Sequence, residues 1–206
     1  MTLLSPALES RMLEGVDFAA KFFMGQSRVD KALYQLAERF DAEQIPYAIV
    51  GAMALNAHGY RRVTEDVDVL LTRDGLARFK QRYLGRGYLE RFPGSKGLRD
   101  TENAVAIDVV LTGEFPGDGK PKPIAFPDPK ECAEQGEKVA LVPLNKLVEL
   151  KLASGMTAPH RLKDLADVLE LIRARDLPAE FETNLHPYVQ AKFRELWVAA
   201  QTADDE

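Results

Sequence analysis

Three aspartates carry the chemistry this sequence offers: Asp66 and Asp68 in the run DVDVLL, and Asp108 in VAIDVVL. Side chains alternate across a strand, so residues two apart point the same way. Asp66 and Asp68 therefore share one face, while Val67 and Val69 bury the other. Asp108, between Ile107 and Val109, can project onto that face from a neighbouring strand. An Asp-X-Asp pair arises by chance at many strand edges and turns. Here both aspartates interrupt an apolar strand, where an unpaired buried charge is costly, and Asp108 repeats the anomaly in a second strand. Three converging carboxylates repel one another. A hard divalent cation with oxygen ligands, Mg²⁺ in particular, is the ordinary remedy. Two such ions about 3.5–4 Å apart would clamp the attacking and leaving oxygens of a phosphoryl or nucleotidyl transfer.

A glycine stands at the right place to serve such a centre. Gly51 closes the apolar run Tyr47-Ala48-Ile49-Val50 and opens a helix. Lacking a side chain, it lets a phosphate approach backbone amides at a helix N-terminus, where the dipole favours anions. Alone it is equally a plain tight turn. Thirteen residues separate Ala52 from Asp66, room for a short helix and a return into an adjacent strand.

The elements that must position these groups follow from periodicity. Val29, Leu33, Leu36 and Phe40 mark a helix over 27–43 that Ser27 or Asp30 can cap, and Pro46 stops it. Strands are expected at 47–50, 66–71 and 105–111, with helices at 52–57 and 74–85. Five prolines and three glycines between Thr112 and Pro129 make a long irregular crossing. Lys138 to Val142 reads as a short strand, and Pro143 suits the first turn of a helix running to Ser154. Helices at 161–173 and 187–201 follow, with Phe193 and Trp197 packing the last one. The order is a mixed α/β part with N-terminal helices over 1–142, then a helical C-terminal lobe over 143–206.

The glycine and the aspartates together resemble a family signature. Val50-Gly51-Ala52 followed by Asp66-Val67-Asp68-Val69 is similar to that of the DNA polymerase β-type nucleotidyltransferases. The string VGAMALNAHGYRRVTEDVDVLL is especially similar to their minimal bacterial members, including toxins of the AbiEii type, through Gly59, Tyr60, Arg62, Thr64, Asp66 and Asp68. Asp108 matches the family's third carboxylate. LVELKLAS…RLKDLADVLEL looks like its helical segment, at Lys151, Lys163, Asp164 and Asp167. The likeness covers about residues 27–173.

The resemblance implies an α/β (α+β) fold, a mixed sheet with flanking helices and a helical C-terminal lobe. It implies a nucleoside triphosphate substrate and a two-metal Mg²⁺ site. Asp66 and Asp68 would hold the ion that bridges the triphosphate. Asp108 would complete the second site and help deprotonate the acceptor hydroxyl. The corner at Gly51 and Ala52 would receive phosphate oxygens, Lys151 would neutralise the triphosphate, and Asp164 would orient Lys151 or the acceptor. Arg62 and Thr64 are expected to shape the loop and the aspartate strand. Position 52 is Ala where the family motif has Gly or Ser, so no hydroxyl is offered there and phosphate binding would rest on backbone amides and cations.

Composition bounds the partners. The net charge is −5, against a surface that coats nucleic acid indiscriminately. Eight basic residues against two acidic ones between Arg73 and Arg99 make that stretch +6, either a solvated helix face or a landing site for a polyanion. The expected acceptor is an RNA end or a protein hydroxyl, with a small molecule open, and the toxin likeness adds an antitoxin as a possible partner. No apolar run approaches the roughly 20 residues of a membrane span, and a single cysteine, Cys132, fits a reducing cytoplasm. His58, His160 and His186 are too scattered for zinc. Two rivals remain: a degenerate nucleotide- or partner-binding module, favoured by Ala52, and an aspartate-nucleophile phosphatase of the haloacid dehalogenase kind. The second is disfavoured because its Asp-X-Asp ends an apolar strand, whereas here the apolar run follows.

Overall fold

In a computed structural model, which describes residues 6–202, one mixed sheet organises the chain. In chain order the helices are α1 (Pro6–Phe23), α2 (Arg28–Ala42), α3 (Gly51–Ala57), α4 (Arg73–Tyr83), α5 (Pro129–Cys132), α6 (Leu144–Thr157), α7 (Leu162–Arg175) and α8 (Pro187–Thr202). The strands are β1 (Tyr47–Ile49), β2 (Asp66–Leu71), β3 (Tyr88–Glu90), β4 (Leu98–Asp100), β5 (Val105–Leu111), β6 (Glu134–Gln135) and β7 (Ala140–Leu141). They lie in the order β3-β4-β5-β2-β1-β7-β6. The central pair, β2 with β5, runs parallel, as does β1 with β7; the other neighbours are antiparallel. The fold is the expected mixed α/β architecture with a helical C-terminal part.

Alternation along the strands builds a core on each face. Tyr47, Ile49, Val67, Val69, Val105, Ile107, Val109 and Leu111 pack against Leu33, Leu36 and Phe40 of α2 and Leu76 and Phe79 of α4. Helix α2 is set by the expected cap: the Ser27 side chain accepts from the Asp30 amide, and Asp30 accepts from the Ser27 amide. The opposite face turns Ala48, Val50 and Leu70 toward α3, α6, α7 and α8, through Leu147, Val148, Leu152, Val168, Leu171, Val189 and Phe193.

Several boundaries shift from the expectation. The strand near 138–142 shortens to Ala140–Leu141, paired in a small hairpin with β6. Helix α6 runs on to Thr157, and a 3₁₀ turn over Pro159–Arg161 precedes α7. The hairpin β3–β4 was not anticipated at all. No helix among the described residues is long and apolar enough to cross a membrane.

Candidate active site

The register of β2 against β5 decides which aspartates meet. Asp68 is the pairing partner of Asp108, and Asp66 of Ala106. All three carboxylates therefore rise from one sheet face, just where the second core ends at Leu70 and Val110. Each is held differently. Thr64 Oγ1 donates a hydrogen bond to Asp66, and Asp108 forms an ion pair with Arg91. Asp68 lies against Gly51: a Cβ built on that glycine would fall 1.9 Å from Asp68 Oδ2.

The backbone explains the glycine. Gly51 has φ +62°, in the left-handed region that costs other residues strain, and its missing side chain leaves the space that the Asp68 carboxylate fills. The amide of Val50 also donates to the Asp68 carbonyl at 3.0 Å, fixing β1 beside β2. Ala52 is 2% exposed and does not line the cleft described next, so the position offers a ligand only its backbone.

Across from these carboxylates, α6 and α7 present a closed network of charge. Lys151 Nζ donates to Asp164 Oδ1 at 3.0 Å and to Asp167 Oδ2 at 2.7 Å. Asp167 meets Arg62 Nε at 3.1 Å, while Asp164 Oδ2 accepts from Ser154 Oγ at 2.6 Å and pairs with Arg161 at 3.2 Å. Lys151 and Asp167 are buried, and their charges are satisfied by each other. A cleft of about 450 Å³ separates the two groups. Asp68, Gly51, Lys151, Ser154, Arg161 and Asp164 line its polar part; Val110, Pro116, Phe126, Leu147 and Leu150 line its apolar part.

The two carboxylates that face this cleft are driven in opposite directions. Desolvation, then the charges of Asp66 and Asp108, push Asp68 up to about 6, against the pull of Lys151 and Arg161. Burial also works to raise Asp164, but Lys151, the Ser154 hydrogen bond and Arg161 together hold it below the ordinary value.

No family model and no curated protein sequence matches the chain. Solved structures do. The crystal structure of ANT(2'')-Ia in complex with adenylyl-2''-tobramycin superposes with a TM-score of 0.51 at 13% identity, over 84% of this chain and 97% of that one. The solution structure of the same antibiotic-resistance factor gives 0.52 at 14% identity, over 84% and 94%. An antigenic nucleotidyltransferase-like protein from Paracoccidioides brasiliensis gives 0.45 at 16% identity, over 85% and 87%. The chain shares the fold of ANT(2'')-Ia.

Within it, the expected site residues separate into two groups. Gly51, Asp68, Lys151 and Asp164 line one cleft, and Asp66 and Asp108 stand on the strands beside it. The three aspartates are not gathered into a ligand set: among the described residues, no three acidic, histidine or cysteine side chains stand ready to hold a metal ion. The chemistry of the donors nevertheless fits a hard cation. All are carboxylate oxygens, and Asp68 is an anion made unfavourable by burial and then by its two like-charged neighbours, which a cation would relieve. Asp66 is engaged by Thr64 and Asp108 by Arg91, so a cation would have to compete with both contacts.

Sequence reasoning missed four contributors. Arg91 was counted only as part of a basic run, Arg161 only as a helix start, and Ser154 only as a helix end. Ser154 lies three residues beyond Lys151 on the same helix, a spacing that puts both on one side. Phe126 belongs to the irregular crossing, where composition predicts no contact.

Proposed function

We propose that this chain is a metal-dependent nucleotidyltransferase that moves a nucleoside monophosphate from a nucleoside triphosphate to an acceptor hydroxyl. One observation carries the reading: Asp68, made basic by burial and two like charges, faces Lys151 and Arg161 across a single cleft in a nucleotidyltransferase fold. Lys151 and Arg161 bind the triphosphate, the Asp164 carboxylate and Ser154 orient them, and Asp66 and Asp68 hold Mg²⁺. Mg²⁺ held there would neutralise phosphate charge. The acceptor oxygen bonds to the α-phosphorus and pyrophosphate leaves. Asp108 takes the proton of the acceptor hydroxyl. Phe126, Leu147 and Leu150 shield the cleft from water on its apolar side.

The run from Gly59 to Asp68 supports a place among the AbiEii-type bacterial members, with a cytoplasmic location, an RNA end or protein hydroxyl as acceptor, and an antitoxin as partner. The residue layout also suits residues 143–206 acting as a unit that closes on the core. ANT(2'')-Ia, by contrast, was solved with an adenylylated aminoglycoside. A second reading, a module that binds nucleotide or a partner without turnover, is favoured by the Arg91 contact that withholds Asp108.

Incubation with labelled nucleoside triphosphates, Mg²⁺ and a cell extract tests the proposal. Label should appear on RNA or protein with the wild type and vanish with Asp66→Ala and Asp68→Ala. Nucleotide binding by calorimetry without any transfer would favour the binding module.

A further inference from the structure

Two arginines serve the charge network on α6 and α7, and they stand on different sides of it. Each aspartate there gives one oxygen to Lys151 and the other to an arginine. Asp164 Oδ1 meets Lys151 at 3.0 Å, and Asp164 Oδ2 meets Arg161 at 3.2 Å. Asp167 Oδ2 meets Lys151 at 2.7 Å, and Asp167 Oδ1 meets Arg62 at 3.1 Å. Arg161 is exposed and lines the cleft, whereas Arg62 and Asp167 lie behind it. Arg62 is therefore set back from any ligand that the cleft holds.

Its own loop keeps Arg62 in that place. The Asn56 side chain clasps the Arg62 backbone: Nδ2 donates to the carbonyl at 2.9 Å, and Oδ1 accepts from the amide at 2.9 Å. Asn56 Nδ2 also donates to the Ala52 carbonyl at 2.8 Å, which anchors the clasp on α3. A Cβ on Gly59 would fall 2.9 Å from Arg175 Cδ, so the same loop lies close along α7. The guanidinium meets Asp167 by charge more than by direction, since its buried Nε finds no aligned acceptor among the described residues. Two residues on, Thr64 donates to Asp66. One short segment thus touches both sides of the cleft.

We infer that Arg62 is a positioning residue that lets Lys151 turn to a triphosphate, an inference that rests on the reading of Lys151 above. Lys151 divides its charge between two carboxylates, and a phosphate gains its full attraction only by drawing it away from them. Asp164 keeps the Ser154 hydrogen bond when that happens, so the stronger hold falls on buried Asp167. A buried carboxylate left without any cation is costly, and Asp167 alone would keep Lys151 back. Arg62 removes that cost by staying on Oδ1 while Lys151 leaves Oδ2. The sign of the effect follows. Loss of the Arg62 charge ties Lys151 to Asp167 and weakens triphosphate binding, and neutralising Asp167 as well sets Lys151 free again. A mere brace for the fold predicts the opposite, two defects in place of one.

Calorimetry with Mg²⁺ and each common ribonucleoside triphosphate tests this, with inorganic triphosphate as a probe that carries no base. Arg62→Gln should weaken binding about tenfold, the scale of one contact to a charged group. Arg62→Lys keeps the charge and should stay within about threefold of wild type. The double variant Arg62→Gln with Asp167→Asn should regain most of the loss. Unchanged affinity in Arg62→Gln, or a double variant that binds no better than Arg62→Gln, overturns the inference and leaves the transferase reading standing. Should Arg62→Gln melt below the assay temperature, Asp167→Asn alone decides: affinity equal to or above wild type supports the inference, and weaker binding overturns it. The expected variant pattern without any label transfer supports the role of Arg62 and removes the transferase reading alone. A wild type that binds neither nucleotide nor inorganic triphosphate removes both.

Discussion

Two sets of charged groups face each other across the cleft, and they are built on opposite terms. In the network on α6 and α7, each charge has a counter-charge: Lys151 between Asp164 and Asp167, Asp167 also against Arg62, and Asp164 also against Arg161. On β2 and β5, three like charges share a face, and their partners are makeshift, one hydroxyl and one exposed arginine. The first arrangement is what a stable fold selects. The second lowers stability, and such local frustration is retained where a ligand resolves it. The contrast separates a charge network that is complete before any ligand arrives from carboxylates that a cation would complete.

Asp68→Asn should break the contrast most sharply. Transfer should fall on the order of 10³-fold, the scale at which loss of one electrostatic catalytic group is felt. Metal-free melting at pH 8 should nevertheless rise, because the variant removes a desolvated like charge. A variant that is both inactive and less stable would place Asp68 among structural groups.

Lys151→Met should do the reverse to the fold. It strands Asp167, only 2% exposed, and half-buried Asp164 without their shared cation. Breaking a buried pair from one side costs about 3–5 kcal/mol, so urea unfolding should show a loss of that order. A loss below about 1 kcal/mol, the worth of an exposed pair, would mean that the network is solvated.

Gly51→Ala is a smaller and more local perturbation. The new Cβ would collide with the Asp68 carboxylate at 1.9 Å, in a backbone with φ +62°. Strain of about 1–2 kcal/mol is expected for the dihedral alone, and Asp68 must shift. Unfolding and nucleotide affinity should both decline. Retained affinity would show that the glycine serves only the turn.

The central part of this design was legible in the chain because strong alternation wrote it there. DVDVLL and AIDVVL announce two strands with acids on one side, and the Ser27–Asp30 cap announces α2. The β3–β4 hairpin was not legible: YLE and LRD are three residues each, with no run long enough to show a period. Its absence from the reading hid the Arg91–Asp108 pair. The pairing of Asp68 with Asp108 was equally out of reach, since β2 and β5 are joined through α4 and a hairpin that the sequence pattern does not measure. Gly51 was legible as a corner but not as a cradle for a carboxylate, which only the position of β2 reveals.

The finest test of the contrast is its pH dependence. Asp68 titrates near 6 in the fold against an ordinary value of 3.8, so the folded state holds its proton more tightly than the unfolded chain does. That contribution to stability is complete below about pH 4 and disappears as pH climbs through 6. Asp68→Asn lacks the titration. In EDTA, the stability of the variant relative to wild type should therefore grow between about pH 4 and pH 7 and then level off. Asp164, held below its ordinary value, contributes with the opposite sign, but equally in both proteins, so it cancels in the difference. Replacing EDTA with Mg²⁺ at pH 8 should narrow the gap, because a cation bound at the carboxylates favours the ionised wild type. A gap that is flat across pH and indifferent to Mg²⁺ would mean that the strand aspartates are solvated charges with no quarrel to settle, and the asymmetry between the two sides of the cleft would dissolve.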